Sequence, residues 1–247
     1  ADWRTNAPAE AVALARTAAR PLLPRLAPPP RLDVRPLSFV GATEARYDAA
    51  RTVPPQRHVA WDGWNAARDA FPPDELEIDV HDVIARVEVT RTQPFAGREI
   101  RIGDGKGGLL DGGFNDTGFL GLTVDCRRPG RLIVTFDEVL TNGKVDPQRI
   151  GADFGFVYDL KEPGVYRLEN FEPNTFRYVH LFMQDGLAEV SAPYVRACKN
   201  AAAYRARFES ADPQLNAVFD AARETFAQNA VDVFTDCPSR ERAGCSW

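Results

Sequence analysis

Phe176-Arg177-Tyr178-Val179-His180-Leu181-Phe182-Met183 carries apolar groups on both faces of an extended chain. Phe176, Tyr178 and Phe182 fall on one face, and Val179, Leu181 and Met183 on the other. A strand wetted on one side needs only one apolar face, so this pattern predicts a central strand. The period of two extends outward from it. Leu76, Ile78 and Val80 alternate with Glu75, Glu77 and Asp79, and further candidate strands follow at Ile84–Thr90, Gly118–Val124 and Arg131–Phe136. Others lie at Phe154–Leu160, Val165–Leu168 and Ala188–Val195. Turn-forming clusters separate them: Arg127-Arg128-Pro129-Gly130, Thr141-Asn142-Gly143-Lys144 and Glu162-Pro163-Gly164. Short strands punctuated in this way, without intervening helices, predict a mainly β fold. The expected form is an antiparallel, jelly-roll-like β-sandwich over about residues 75–200.

The flanks read differently. Pro8–Arg20 is built from strong helix formers behind Asn6 as N-cap, and Pro21 ends it. Residues 22–30 form a proline-rich connector, and residues 31–75, with Trp61 and Trp64, show no sustained period. Residues 1–74 are therefore expected to be a helix, a connector and an irregular lead-in of loops with short strands. Beyond Phe208 the period changes to helical. Asp212 is the expected N-cap with Pro213 at the first helical position. Leu215, Val218, Phe219, Ala222 and Phe226 form one stripe. A lone helix cannot bury such a stripe, and docking on helices beyond residue 247 is preferred to docking on the sandwich. Residues 201–247 are thus read as a linker and the start of a second domain.

Composition limits the function. The 247 residues are 44% hydrophobic and 26% charged, which is globular and excludes disorder. Thirty basic against thirty-five acidic residues give a net charge of −5, which speaks against nucleic acid as a partner. No apolar run approaches the ~20 residues that span a bilayer, so no membrane segment is expected. Cys126, Cys198, Cys237 and Cys245 lack C-x-x-C spacing, and His58, His81 and His180 are scattered, so neither a metal nor a cofactor is expected. His180 reads as a satisfied core or cleft histidine. Gly103-Asp104-Gly105-Lys106-Gly107-Gly108 lacks phosphate-loop spacing and reads as a hairpin turn. Asp137-Glu138 fits an ion or sugar site and a solvated hairpin end equally well. Trp61 and Trp64 are expected to pack rather than to stack on sugar.

The densest chemistry is at the end: Asp236-Cys237-Pro238-Ser239-Arg240-Glu241-Arg242-Ala243-Gly244. Asp236 and Glu241 are carboxylates five residues apart, Pro238 disfavours a continuing helix between them, and Arg240 can hold a carboxylate or sugar hydroxyls. A carboxyl that donates a proton at neutral pH needs a raised pKa, while an ionised neighbour can orient substrate. Charge pattern alone favours a solvated, salt-bridged loop over a catalytic pair.

This run resembles the Asp-Cys-Pro-x-Arg-(Asp/Glu) signature of the α-L-rhamnosidases of glycoside hydrolase family 78, six-hairpin glycosidases. Ser210–Leu215 resembles the entry to the first barrel helix, and Asn229–Thr235 the segment that joins that helix to the signature. Asp116–Leu120, Asp137–Leu140 and Phe171–Val179 resemble motifs of the β-domain before the barrel, in the same order. The resemblance implies a β-sandwich followed by the first helix and loop of a truncated (α/α)6 barrel. It implies a rhamnose-containing glycoside or polysaccharide as partner and an inverting acid/base mechanism. Glu241 matches the general acid, Asp236 a carboxylate that binds rhamnose hydroxyls, and Arg240 the motif arginine in substrate binding. The family continues with Gly-Trp-x-Gly-Asp, whereas this chain has Gly244-Cys245-Ser246-Trp247. The expectation is a piece of a longer protein, inactive by itself. The competing expectation is a non-catalytic carbohydrate-binding or structural β-sandwich. Oligomeric state and compartment stay open.

Overall fold

The computed structural model describes residues 28–53 and 80–239. In chain order the elements are β1 (Val34–Pro36), β2 (Ser38–Tyr47), α1 (Val80–Ala85), β3 (Val87–Pro94), β4 (Glu99–Gly103) and β5 (Lys106–Arg128). They continue with β6 (Gly130–Asp137), β7 (Leu140–Thr141), β8 (Lys144–Val145), β9 (Gly155–Leu160) and β10 (Gly164–Glu169). β11 (Asn174–Gln184), β12 (Leu187–Ala197), a 3-10 turn (Ala201–Arg205) and α2 (Pro213–Asn229) complete the described chain. The protein is mainly β, as expected. The expected helix over 8–20, Trp61, Trp64, His58 and the alternation at 76–79 lie outside the described residues.

Ten strands form one antiparallel sheet that curls on itself, and β7 pairs with β8 in a separate hairpin. The curl runs through β5, a strand of 23 residues. Its first part, near Gly107–Asp111, pairs with β2 and β11. Its second part, Gly118–Arg128, pairs with β12, and within it Gly121–Cys126 pairs with β10. Between the two parts Gly113 sits at φ +80°, a left-handed conformation that a side chain resists, so the bend is tied to glycine. Side chains from both parts then share one core. Leu110, Leu120, Leu122 and Val124 of β5 meet Leu132 and Val134 of β6, Val179 and Leu181 of β11, and Val190 of β12.

The central-strand reading of 176–183 is correct. β11 lies between β5 and β6, with Val179, Leu181 and Met183 facing the main core. Phe182 on the opposite face packs with Ile133 of β6 under Val83 and Ile84 of α1. The expected strand at 84–90 is different: α1 ends at Ala85 and β3 begins at Val87. Val80, Val83 and Ile84 are spaced i, i+3, i+4, a helical stripe too short to separate from alternation by eye. β2 is a second departure, since the lead-in contains a regular ten-residue strand. Its inward positions Phe39, Gly41, Thr43 and Ala45 alternate with more exposed neighbours. Two of those four are Gly and Thr, so a count of apolar residues misses the period.

The turns behave as their residues dictate. Asp104 (φ 51°) and Gly105 (φ +79°) form the two-residue turn between β4 and β5, and Asn142 (φ 52°) and Gly143 (φ +75°) join β7 to β8. Asp-Gly and Asn-Gly suit the paired left-handed conformations of a tight hairpin. α2 starts as expected, with the Asp212 carboxylate accepting from the Gln214 N–H at 2.8 Å. Its stripe remains open: Leu215, Val218 and Phe226 are 51%, 66% and 43% exposed.

Candidate active site

The start of the motif is placed by two anchors, one on α2 and one on the sheet. After α2, the Ala230 carbonyl accepts from Asn200 Nδ2 at 2.6 Å, and the Thr235 N–H donates to the Asn229 carbonyl at 2.9 Å. The chain therefore doubles back against the end of its own helix. On the sheet, Thr175 at the start of β11 donates its hydroxyl to the Pro238 carbonyl at 2.9 Å. Thr175 is buried, and its oxygen lies 2.8 Å from that of Thr117 on β5. Thr117 in turn donates to Gln228 Oε1 of α2 at 2.7 Å. Helix, sheet and motif thus meet at two threonine hydroxyls.

A partly buried charge cluster holds α2 on the same side. Lys199, just past β12, approaches Asp116 Oδ1 at 2.8 Å and also bonds Glu224 of α2. Arg35 of β1 pairs with Asp116, and Tyr204 donates to Glu224 Oε2 at 2.8 Å. Burial works against the charge on Glu224, but hydrogen bonds from Lys199 and Tyr204 outweigh it and hold its pKa below the usual carboxylate value. Burial pulls the Lys199 ammonium below the usual lysine value and, with Glu224 beside it, pushes the Tyr204 phenol up to about 12. These residues work as a joint between the β-rich unit and the helix.

Of the three residues expected in the site, Asp236 is described and exposed. Arg240 and Glu241 lie outside the described residues. Cys237, Pro238 and Ser239 are half-buried. Ser239 lines a cavity of about 530 Å³ between β9 and the loop before β11, with Phe154, Phe156, Tyr158, Asn170 and Phe171 among its walls. Asn170 is fixed there, its Oδ1 accepting from the Leu120 N–H at 2.7 Å and its Nδ2 donating to the Glu172 carbonyl at 2.7 Å.

Other sequence candidates take structural places. Asp137 is buried and accepts both arms of the Arg149 guanidinium at 2.7 Å, a neutralising pair and not an open ion site. His180 is buried, 2.9 Å from Thr43 Oγ1, and burial pushes its pKa down to about 4. Gly107 makes room for that contact, since a Cβ there would come within 2.6 Å of Thr43 Oγ1 and 3.0 Å of His180 Nε2. Among the described residues no group of three or more His, Cys, Asp or Glu could hold a metal, and no helix is long and apolar enough to cross a membrane. Sequence reading missed Thr175, Gln228 and the Lys199 cluster. Single polar residues have no period, and only the Asp116–Leu120 and Phe171–Val179 resemblances pointed to this edge of the sheet.

Residues 204–246 match the family model of the bacterial α-L-rhamnosidase six-hairpin glycosidase domain. The expected kinship is borne out. The match begins at the joint, on Tyr204, and runs through α2 and the whole motif. Among solved structures, the family 78 rhamnosidase of Bacillus sp. GL1 is similar with a TM-score of 0.58 and 22% identity, over 72% of this chain and 21% of that one. It shows the same fold for the aligned part. A rhamnosidase from Klebsiella oxytoca with rhamnose bound aligns at a TM-score of 0.49 and 18% identity, over 86% of this chain and 38% of that one. The chain therefore spans about a fifth and well under half of the lengths of these two rhamnosidases. No curated protein matches the chain.

Proposed function

We propose that the chain is the part of an α-L-rhamnosidase that carries the catalytic acid on a loop held against a β-rich unit. The domain boundary falls near residue 200, between β12 and α2, and the residues beyond it open the (α/α)6 catalytic domain. The observation that carries this reading is the Asp236–Gly244 motif, which lies inside the family match and is pinned to the sheet at Pro238. Glu241 protonates the glycosidic oxygen as the bond to rhamnose breaks. Asp236 stays ionised and binds rhamnose hydroxyls, and Arg240 holds the sugar or orients the carboxylates. Inversion requires a second carboxylate to activate water on the opposite face of the sugar, roughly 6.5–9.5 Å from the acid. That base belongs to later helices of the family's barrel, so the 247 residues alone are inactive. The open stripe of Leu215, Val218 and Phe226 fits the same arrangement, as the face on which those helices pack.

The test is Glu241→Gln in the intact polypeptide, assayed on α-L-rhamnosides whose leaving groups differ in basicity. Loss of the acid should cost roughly 10²–10⁴-fold in turnover of alkyl rhamnosides and far less for 4-nitrophenyl rhamnoside, whose leaving group needs little protonation. Equal losses on both substrates, or no loss, would remove Glu241 from the role.

A further inference from the structure

The joint between sheet and helix contains a cavity of its own, about 300 Å³ in volume, between β1, the bend of β5 and α2. Two aromatic rings line it, Phe114 just past the bend at Gly113 and Tyr204 of the 3-10 turn. Phe114 is 43% exposed and lies outside the apolar core. Cations hold it instead: the Arg35 guanidinium lies 3.9 Å from its ring centroid, and Lys199 Nζ lies 5.4 Å from it. Arg31 sits 5.5 Å from the Tyr204 ring in the same way. A phenyl ring placed at a polar rim adds little to the core, and its exposed part suits the C–H surface of a ligand.

The charges around the cavity are matched one to one. Arg31 bonds Asp33, Arg35 pairs with Asp116, and Lys199 pairs with Glu224. No surplus charge of either sign is left to draw in an ion, and an added phosphate or carboxylate would stand beside Asp33 and Glu224. The hydrogen-bonding capacity is not used up, however. Lys199 directs two of its three N–H groups to Asp116 and Glu224, and Arg31 gives only its Nη2 to Asp33. Donors therefore remain on both cations, beside carboxylate oxygens that can accept again. An apolar ligand would strip water from these groups and replace none of its hydrogen bonds. A pyranose meets every demand, with vicinal hydroxyls to bridge cation and carboxylate and a C–H face for Phe114. The volume lies at the lower end of the ~300–1,000 Å³ of small-molecule pockets, room for one ring. From these observations we infer that the joint carries a binding site for one neutral sugar unit, seated on Phe114 between Arg31, Lys199 and Glu224. The site does not depend on the role proposed for Glu241.

The experiment follows the amide resonances of the isotope-labelled 247-residue chain during separate titrations. The probes are methyl β-D-glucopyranoside, methyl α-L-rhamnopyranoside, sodium D-glucuronate and inorganic phosphate. The expected result is saturable shifts at Phe114, Lys199 and Tyr204 with a neutral glycoside, indifferent to added salt, and little response to either anion. Phe114→Ala should weaken that binding about fivefold, the cost of one ring contact. Arg31→Ala, which removes donors from the rim and leaves the pair of Lys199 and Glu224 in place, should weaken it as well. Phe114 and Arg31 are both exposed and outside the core, so neither truncation disturbs the sheet. No saturable shift at these residues with either glycoside, wild-type affinity in either variant, or tighter, salt-sensitive binding of glucuronate or phosphate would overturn the neutral-sugar site.

Discussion

Thr175 shows how one hydroxyl can position a loop. Valine has nearly the same shape, so Thr175→Val preserves β11 and removes only the donor to the Pro238 carbonyl. The expected loss is about 1 kcal/mol, because Pro238 is half-buried and water can partly replace the bond. The sharper effect is local. Trypsin cleavage after Arg240 and Arg242 should accelerate several-fold in the variant, and an unchanged rate would mean that the motif is held by something else. His180 gives a pH dependence whose sign follows from burial. Its folded pKa of about 4 lies below the unfolded value of about 6.5, so between these limits the unfolded chain binds more protons. Stability contributed by the neutral ring is complete above pH ~6.5 and is lost as pH falls toward 4, on the order of 3 kcal/mol in total. Urea midpoints measured between pH 7 and 4.5 should fall in wild type and fall less in His180→Gln; parallel curves would contradict the buried neutral histidine.

At the scale of elements, α2 is held by polar contacts on one side and left apolar on the other. Glu224→Gln removes the negative partner of Lys199 while Asp116 remains 2.8 Å from the ammonium. The side chain of Glu224 is about a third exposed, so the cost is expected at about 1–2 kcal/mol, below that of a fully buried pair. The loss should be confined to the joint: amide exchange across residues 221–229 rises about tenfold while β11 keeps its protection. Uniform acceleration would show that helix and sheet unfold as one unit. The helix itself was legible from Asp212, Pro213 and its 3.6-residue stripe, because capping and periodicity are local signals. Its attachment was not. Lys199, Asp116 and Glu224 are far apart in sequence, and nothing in an isolated charged residue tells which opposite charge the fold will bring to it. α1 and β2 were misread for the converse reason, a short helix resembling alternation and a strand whose inward positions include Gly41 and Thr43.

For the whole molecule, most strands could be read from alternation, but the way they close could not. β5 carries the fold from one half of the sheet to the other, and only its Gly118–Val124 part showed a strand pattern. The glycines before it, which permit the bend at Gly113, are the residues that interrupt the pattern. The result is a unit whose core is complete across both halves and whose C-terminal helix is attached but not covered. That asymmetry bears on catalysis. A carboxylic acid alone assists departure of a poor leaving group, but inverting hydrolysis also needs a base aimed at water on the far face of the sugar. Under the proposed function 4-nitrophenyl α-L-rhamnoside is the most demanding substrate, because its leaving group departs with little help from an acid and any residual activity would be visible. The 247-residue chain should show no turnover of it above the uncatalysed rate, monitored as nitrophenolate release across pH 5–8. Turnover that survives purification and disappears in Asp236→Ala would mean that these residues already hold both carboxylates of the reaction, and the assignment of the base to later helices would have to be abandoned.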